Sequence, residues 1–190
     1  MRHHTNDIKN NIKIKCELVK CLNELIAEKF LLKKYDSITI ACVGTDRSTG
    51  DSLGPIVGSL LEELNLKNVN IVGTLECPLH ANNLADRLEF ISKNSLVIAV
   101  DACLGKSESI GYISINNESL HPGAALAKDL PSVGDISILG IVNLNSGFEF
   151  SILQNTRLYT VIELAKGITD ILSEVIPYVN FTENLEEIIA

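Results

Sequence analysis

Ile38-Thr39-Ile40-Ala41-Cys42-Val43 leads into Gly44-Thr45-Asp46-Arg47-Ser48-Thr49-Gly50-Asp51-Ser52, which leads into Leu53-Gly54-Pro55-Ile56-Val57-Gly58-Ser59-Leu60-Leu61. An apolar run is followed by a polar turn punctuated by glycine, and then by an amphipathic stretch. The pattern reads as strand, loop, helix. In open α/β sheets the loops at the carboxyl ends of strands, beside a point where the strand order reverses, are where ligands bind. The loop from Gly44 to Ser52 holds two carboxylates and is therefore the first candidate site.

The 190 residues suit one domain, 1–190, and a hydrophobic content of 46% suffices for a proper core. Sixteen Lys and Arg against 24 Asp and Glu leave a net charge of −8 with no basic cluster, so phosphate backbones have little to attract them. No nucleic-acid partner is expected. The five cysteines, Cys16, Cys21, Cys42, Cys77 and Cys103, are odd in number and contain no CxxC pair. That excludes a disulfide framework and a zinc ribbon, and it fits a reducing cytoplasm. The first residues lack the apolar core of a signal peptide, and no apolar run approaches the ~18 residues of a membrane span. The expectation is a cytoplasmic protein without a membrane partner.

Between Asp7 and Lys34, Ile8, Ile12, Val19, Leu22, Ile26 and Phe30 recur at three-to-four-residue spacing among lysines and glutamates. This predicts an amphipathic helix over 7–34 that covers a sheet face and carries no chemistry. A second strand is predicted over 68–74, then a helix reaching about Ser92. The run Ser95-Leu96-Val97-Ile98-Ala99-Val100 is nearly continuous in apolar residues, as a central strand covered on both faces would be, and it ends on Asp101. Residues 110–115 alternate like a more exposed strand. The connection before them is too short for a helical crossover, so an antiparallel direction is expected. Residues 118–131 read as a long functional loop, 135–142 as another strand, 151–174 as one closing helix, and 178–190 as an acidic tail. Strands alternating with helices imply a three-layer α/β/α sandwich around a mostly parallel mixed sheet.

Within this frame Asp51, at the predicted start of a helix, is either a cap for free N–H groups or an acid with a purpose. Asp101 ends a neighbouring strand, where a turn cap is the ordinary alternative. If both strands end on one edge, the two aspartates share a crevice. Close, partly desolvated carboxyls drive one pKa upward, so that one acid donates a proton while the other activates water. Asp46 adds a third acid, read as an Asx turn or a partner of Arg47 rather than a metal ligand. Arg47 could hold a substrate carboxylate or carbonyl. His80 and His121 lie in loops facing the same crevice, each a ligand, a proton shuttle or an ordinary surface histidine. Cys77 and Cys103 read as small buried thiols more readily than as nucleophiles. A phosphate cradle is excluded because the P-loop lysine and the GxGxxG spacing are missing.

The loop from Gly44 to Pro55, together with Val97-Ile98-Ala99-Val100-Asp101-Ala102 and His121-Pro122-Gly123, resembles the YyaC-like spore proteases of endospore-forming bacteria. These are relatives of the germination protease that degrades small acid-soluble spore proteins. The germination protease has a similar Thr-Pro-Asp-x-Leu-Gly-Pro loop, where Gly50 here replaces the proline, and a similar strand ending in Asp-Ala. The resemblance puts its catalytic aspartates on Asp51 and Asp101, with Asp46, Arg47, His80 and His121 as a second tier. It also implies the fold of hydrogenase maturation proteases, in which acid and histidine ligands recognise nickel in the substrate. His121 matches their histidine only loosely, and neither a metal nor another cofactor is expected here. The expected activity is therefore an atypical aspartic-type endopeptidase of the sporulating cell or spore, acting on a protein or peptide such as a small acid-soluble spore protein. The rivals are a non-catalytic sporulation factor that binds peptide in the same crevice, and metal-assisted cleavage or metal sensing.

Overall fold

The computed structural model describes residues 1–5, 12–122 and 130–179. In chain order the elements are β1 (Arg2–His4), α1 (Ile12–Leu32), β2 (Ser37–Cys42), α2 (Leu53–Glu63), β3 (Val69–Val72), α3 (Leu84–Leu88), β4 (Ser95–Gly105), β5 (Tyr112–Asn116), β6 (Ile136–Leu144), α4 (Glu149–Gln154) and α5 (Leu158–Val175). One six-stranded sheet has the order β1-β5-β6-β4-β2-β3. β6, β4, β2 and β3 are parallel, whereas β5 runs antiparallel to both β6 and β1. The mostly parallel mixed sheet is as expected, including the antiparallel β5.

Period-two alternation sorts the strand residues between the faces. Ile38, Ile40 and Cys42 of β2, with Leu96, Ile98 and Val100 of β4, face one core. That core is closed by Leu18 and Leu22 of α1, Leu53, Val57 and Leu61 of α2, and Leu164, Ile168 and Leu172 of α5. Spacings of four along each helix put these residues on a single stripe, which is why the helices lie flat on the sheet. Ala41 of β2, Val43 just beyond it and Ala99 of β4 face the other side, under Leu79, Leu84, Leu120 and Val133. Among the described residues only the five-residue α3 contributes a helix to that side. The sandwich has helices on both faces, as expected, but one layer is thick and the other thin.

From β2 the chain moves outward to β3, and from β3 it returns to β4 on the opposite side of β2. Right-handed crossovers in opposite directions place α2 and α3 on opposite faces, and the order reverses between β2 and β4. That reversal opens a crevice at the carboxyl ends of these two strands.

Several elements differ from the sequence reading. β1 is a strand that the polar Arg2-His3-His4 gave no reason to expect; it pairs with β5 and lays Arg2 and His4 against the Tyr112 ring. The N-terminal helix is described from Ile12, so its predicted first turns lie outside the described residues, as do 123–129 of the long loop and 180–190 of the tail. The helix expected to reach Ser92 stops after Leu88. β4 does not end at Asp101 but continues to Gly105, because β6 keeps pairing with it through a bulge at Cys103/Leu104. The closing helix is two helices, interrupted at Asn155-Thr156-Arg157.

Candidate functional site

Cys42 of β2 pairs with Val100 of β4, and Asp101 is the next residue of β4. The Val43 N–H still donates to the Val100 carbonyl at 2.8 Å, and the Gly44 N–H then turns away to the Leu79 carbonyl at 2.8 Å. β2 thus leaves the sheet where Asp101 begins. Asp101 shares the parity of Val97 and Ala99, so its side chain projects on the thinly covered face.

The loop after β2 folds back on itself and delivers Asp51 to the same place. The Thr45 N–H donates to the Asp51 main-chain carbonyl at 3.0 Å, closing the loop over residues 45–51. Gly44, at φ +138°, permits this closure: a Cβ there would stand 2.0 Å from that carbonyl oxygen. Gly54 allows α2 to start directly against the strand end, since its Cβ would meet the Val43 oxygen at 2.1 Å. Asp51 lies in a single 3₁₀ turn, Gly50–Ser52, ahead of α2, and the residue capping α2 is Ser52, without a side-chain cap. Asp51 is therefore not the helix cap that its position suggested. Nor does Asp101 cap a turn, for its Oδ1 accepts the N–H of the adjoining strand residue Ala102 at 2.7 Å.

Burial pushes the Asp51 carboxyl upward, offset in part by a Thr45 backbone hydrogen bond and by the nearby His80. Burial pushes Asp101 well above the usual carboxylate range, the Asp51 charge pushes it further, and the Ala102 amide pulls partly back. The two acids therefore titrate as a pair.

Each carboxyl opens on its own cleft. The Asp51 cleft, about 250 Å³, is lined by Thr45, Arg47, Ser48, His80 and Phe150 among others. The Asp101 cleft, about 450 Å³, takes in Cys103, Glu118, Leu120, His121 and Leu139. Glu149 and Leu153 of α4 line both, so the clefts adjoin across this short helix. Reciprocal 2.8 Å hydrogen bonds between Leu120 and Val133 fix the chain immediately before His121.

Arg47 and His80 are thus gathered around Asp51, and His121 beside Asp101, while the exposed Asp46 lines neither cleft. The cysteines are not all small buried thiols. Cys77 is exposed, with its sulfur 3.0 Å from an Arg87 nitrogen. Cys103 is half-buried, and burial and then Asp101 push its thiol up to about 11, which keeps it protonated and unsuited to nucleophilic attack. Among the described residues no three His, Cys, Asp or Glu side chains form a group able to hold a metal ion. No described helix is long and apolar enough to cross a membrane. Glu149 and Ser48 were not expected at the site. The signal for Glu149 was Asn155-Thr156, residues that favour caps over helix interiors and could have separated α4 from α5.

The model of a family described as "Protein of unknown function (DUF1256)" matches residues 6–171. The chain belongs to the DUF1256 family. It is 49% identical over 139 residues to the uncharacterized protein YyaC of Bacillus subtilis (strain 168), spanning 72% of this chain and 68% of that protein. Among solved structures this DUF1256 chain resembles the [NiFe] hydrogenase maturation protease HycI from Thermococcus kodakarensis KOD1. The TM-score is 0.51 at 19% identity, over 74% of this chain and 92% of that one. The hydrogenase maturating endopeptidase HybD from E. coli aligns at a TM-score of 0.40 and 15% identity, over 73% of this chain and 93% of that one. At that identity the likeness to HycI is one of fold.

Proposed function

We propose that this protein is a cytoplasmic endopeptidase of the sporulating cell or spore, related to the germination protease, and that Asp51 and Asp101 are its catalytic acids. The observation that carries this reading is the pair of desolvated carboxyls, each opening on a cleft, with the charge of one raising the other. We assign the proton of this pair to Asp101, which burial and then the Asp51 charge both hold above the usual carboxylate range. Asp51 takes a proton from water as its oxygen attacks the peptide carbonyl carbon, while Asp101 gives its proton to the carbonyl oxygen. Asp51 then passes its proton to the amide nitrogen, the C–N bond breaks, and Asp101 recovers a proton from the collapsing diol. His80 favours the ionised form of Asp51 and so keeps the base available.

The test is incubation of purified small acid-soluble spore protein with wild type, Asp51→Asn and Asp101→Asn, with and without chelator, read by mass spectrometry. Defined fragments from the wild type alone, unaffected by chelator, are expected. Equal cleavage by either mutant refutes the pair. Peptide binding without turnover, unchanged in Asp51→Asn, would establish the binding factor instead.

A further inference from the structure

The Ser48 hydroxyl is an anomaly of the folded chain. Ser48 is only 9% exposed, and its Oγ is fully covered, yet it has no hydrogen-bond partner among the described residues. A buried, unpaired hydroxyl forfeits its hydration without compensation, so such a group calls for an explanation. Other hydroxyls nearby are engaged. Thr45 Oγ1 accepts the Arg47 N–H at 3.3 Å, and Ser52 Oγ donates to the Thr49 carbonyl at 2.7 Å. Ser48 stands between them in sequence and lines the Asp51 cleft.

The acids of that cleft, Asp51 and Glu149, are hydrogen-bond acceptors when ionised. A polypeptide main chain offers N–H and C=O in equal number, so a cleft that receives it needs donors for the carbonyls as well. Serine χ1 has three staggered positions, and leaving the present one breaks no hydrogen bond.

We infer that Ser48 is a substrate-binding residue, whose hydroxyl turns into the Asp51 cleft and donates to a main-chain carbonyl of the bound polypeptide. The inference rests on the peptidase reading and adds a recognition element that ignores substrate side chains. It has a distinctive signature. A hydroxyl with no bond in the free protein can be removed without loss of stability, while the complex loses one hydrogen bond.

The experiment compares wild type with Ser48→Ala in urea denaturation and in steady-state cleavage of a proteome-derived peptide library read by mass spectrometry, with Asp101→Asn as the inactive control. For Ser48→Ala the expected result is an unchanged or higher denaturation midpoint, a KM raised about 10-fold and a nearly unchanged kcat. A KM equal to that of the wild type overturns the inference and leaves the peptidase reading standing. A lowered midpoint overturns it as well, because the hydroxyl would then be bonded within the fold. Failure of the wild type to cleave any library peptide overturns both.

Discussion

Asp101→Asn replaces one carboxyl oxygen by nitrogen and leaves the other free to accept the Ala102 N–H, now at 2.7 Å. The fold should therefore tolerate it, and the difference from wild type should be electrostatic. In the folded chain Asp101 keeps its proton well above the ordinary carboxylate range, because burial and then the Asp51 charge oppose ionisation. In the unfolded chain it ionises near 3.9. Between those two values the native state holds one proton more than the unfolded state, so the stability of the wild type falls as pH rises, by ~1.4 kcal/mol per pH unit from this group alone. Asparagine does not titrate. The mutant and wild type should be almost equally stable at pH 4, and the mutant should then gain by the same ~1.4 kcal/mol per unit until Asp101 ionises in the native state, where the gain levels off. Asp51→Asn removes the second cause of the shift and should lower that plateau. The assay is urea denaturation of wild type, both single mutants and the double mutant at unit steps from pH 4 to 8. Parallel curves for wild type and Asp101→Asn, or a mutant that falls behind as pH rises, would refute the argument that this acid is held protonated against its own solvation.

Two further perturbations probe the same site from other directions. His80→Gln removes the group whose charge favours ionised Asp51, so the Asp51 carboxyl should rise further. Cleavage that depends on ionised Asp51 should then set in at higher pH, and an unmoved acidic limb in the pH profile of kcat/KM would count against Asp51 as the base. Gly44→Ala combines a φ of +138° with a Cβ placed 2.0 Å from the Asp51 carbonyl oxygen. It should cost about 3 kcal/mol or more in urea denaturation, and a loss below 1 kcal/mol would show that the loop closure does not depend on glycine.

The parts of this protein that could be read from sequence are those where one physical pattern dominates a segment. β2 and β4 are apolar runs, and α1, α2 and α5 carry single apolar stripes, so their type and the layered architecture followed from periodicity. Asp101 stood out because it ends such a run, and Asp51 because it sits at the predicted start of a helix. What could not be read depends on partners distant in sequence. Arg2-His3-His4 forms a strand only because β5 supplies its hydrogen bonds and Tyr112 receives its side chains. The extension of β4 past Asp101 is imposed by β6, about forty residues further on. Glu149 and Leu153 reach both clefts only after the chain breaks at Asn155-Thr156, where Thr156 turns its hydroxyl to the Ile152 carbonyl at 2.8 Å and receives the Asn143 amide at 3.1 Å. Asp46 read like its neighbours because sequence shows which residues are polar, not which way a loop turns them.

The unequal layers connect fold to site. On one face α1, α2 and α5 bury Leu18, Leu22, Leu53, Leu61, Leu164 and Leu172 completely against the sheet. Those contacts hold β2 and β4 in register, and hence fix where Asp101 emerges. On the other face, among the described residues, only α3 and the segments around Leu79, Leu120 and Val133 cover the strands. The side chain of Asp101 projects on that second face. A carboxyl beneath a full helical layer would be desolvated but closed to any macromolecular substrate, and one on a bare sheet would be accessible but solvated. Where the cover is thin and the strand order reverses, the acid is desolvated enough to keep its proton and still borders a cleft of about 450 Å³. The general acid proposed here, which must meet a polypeptide, needs both conditions, and the topology meets them between β2 and β4.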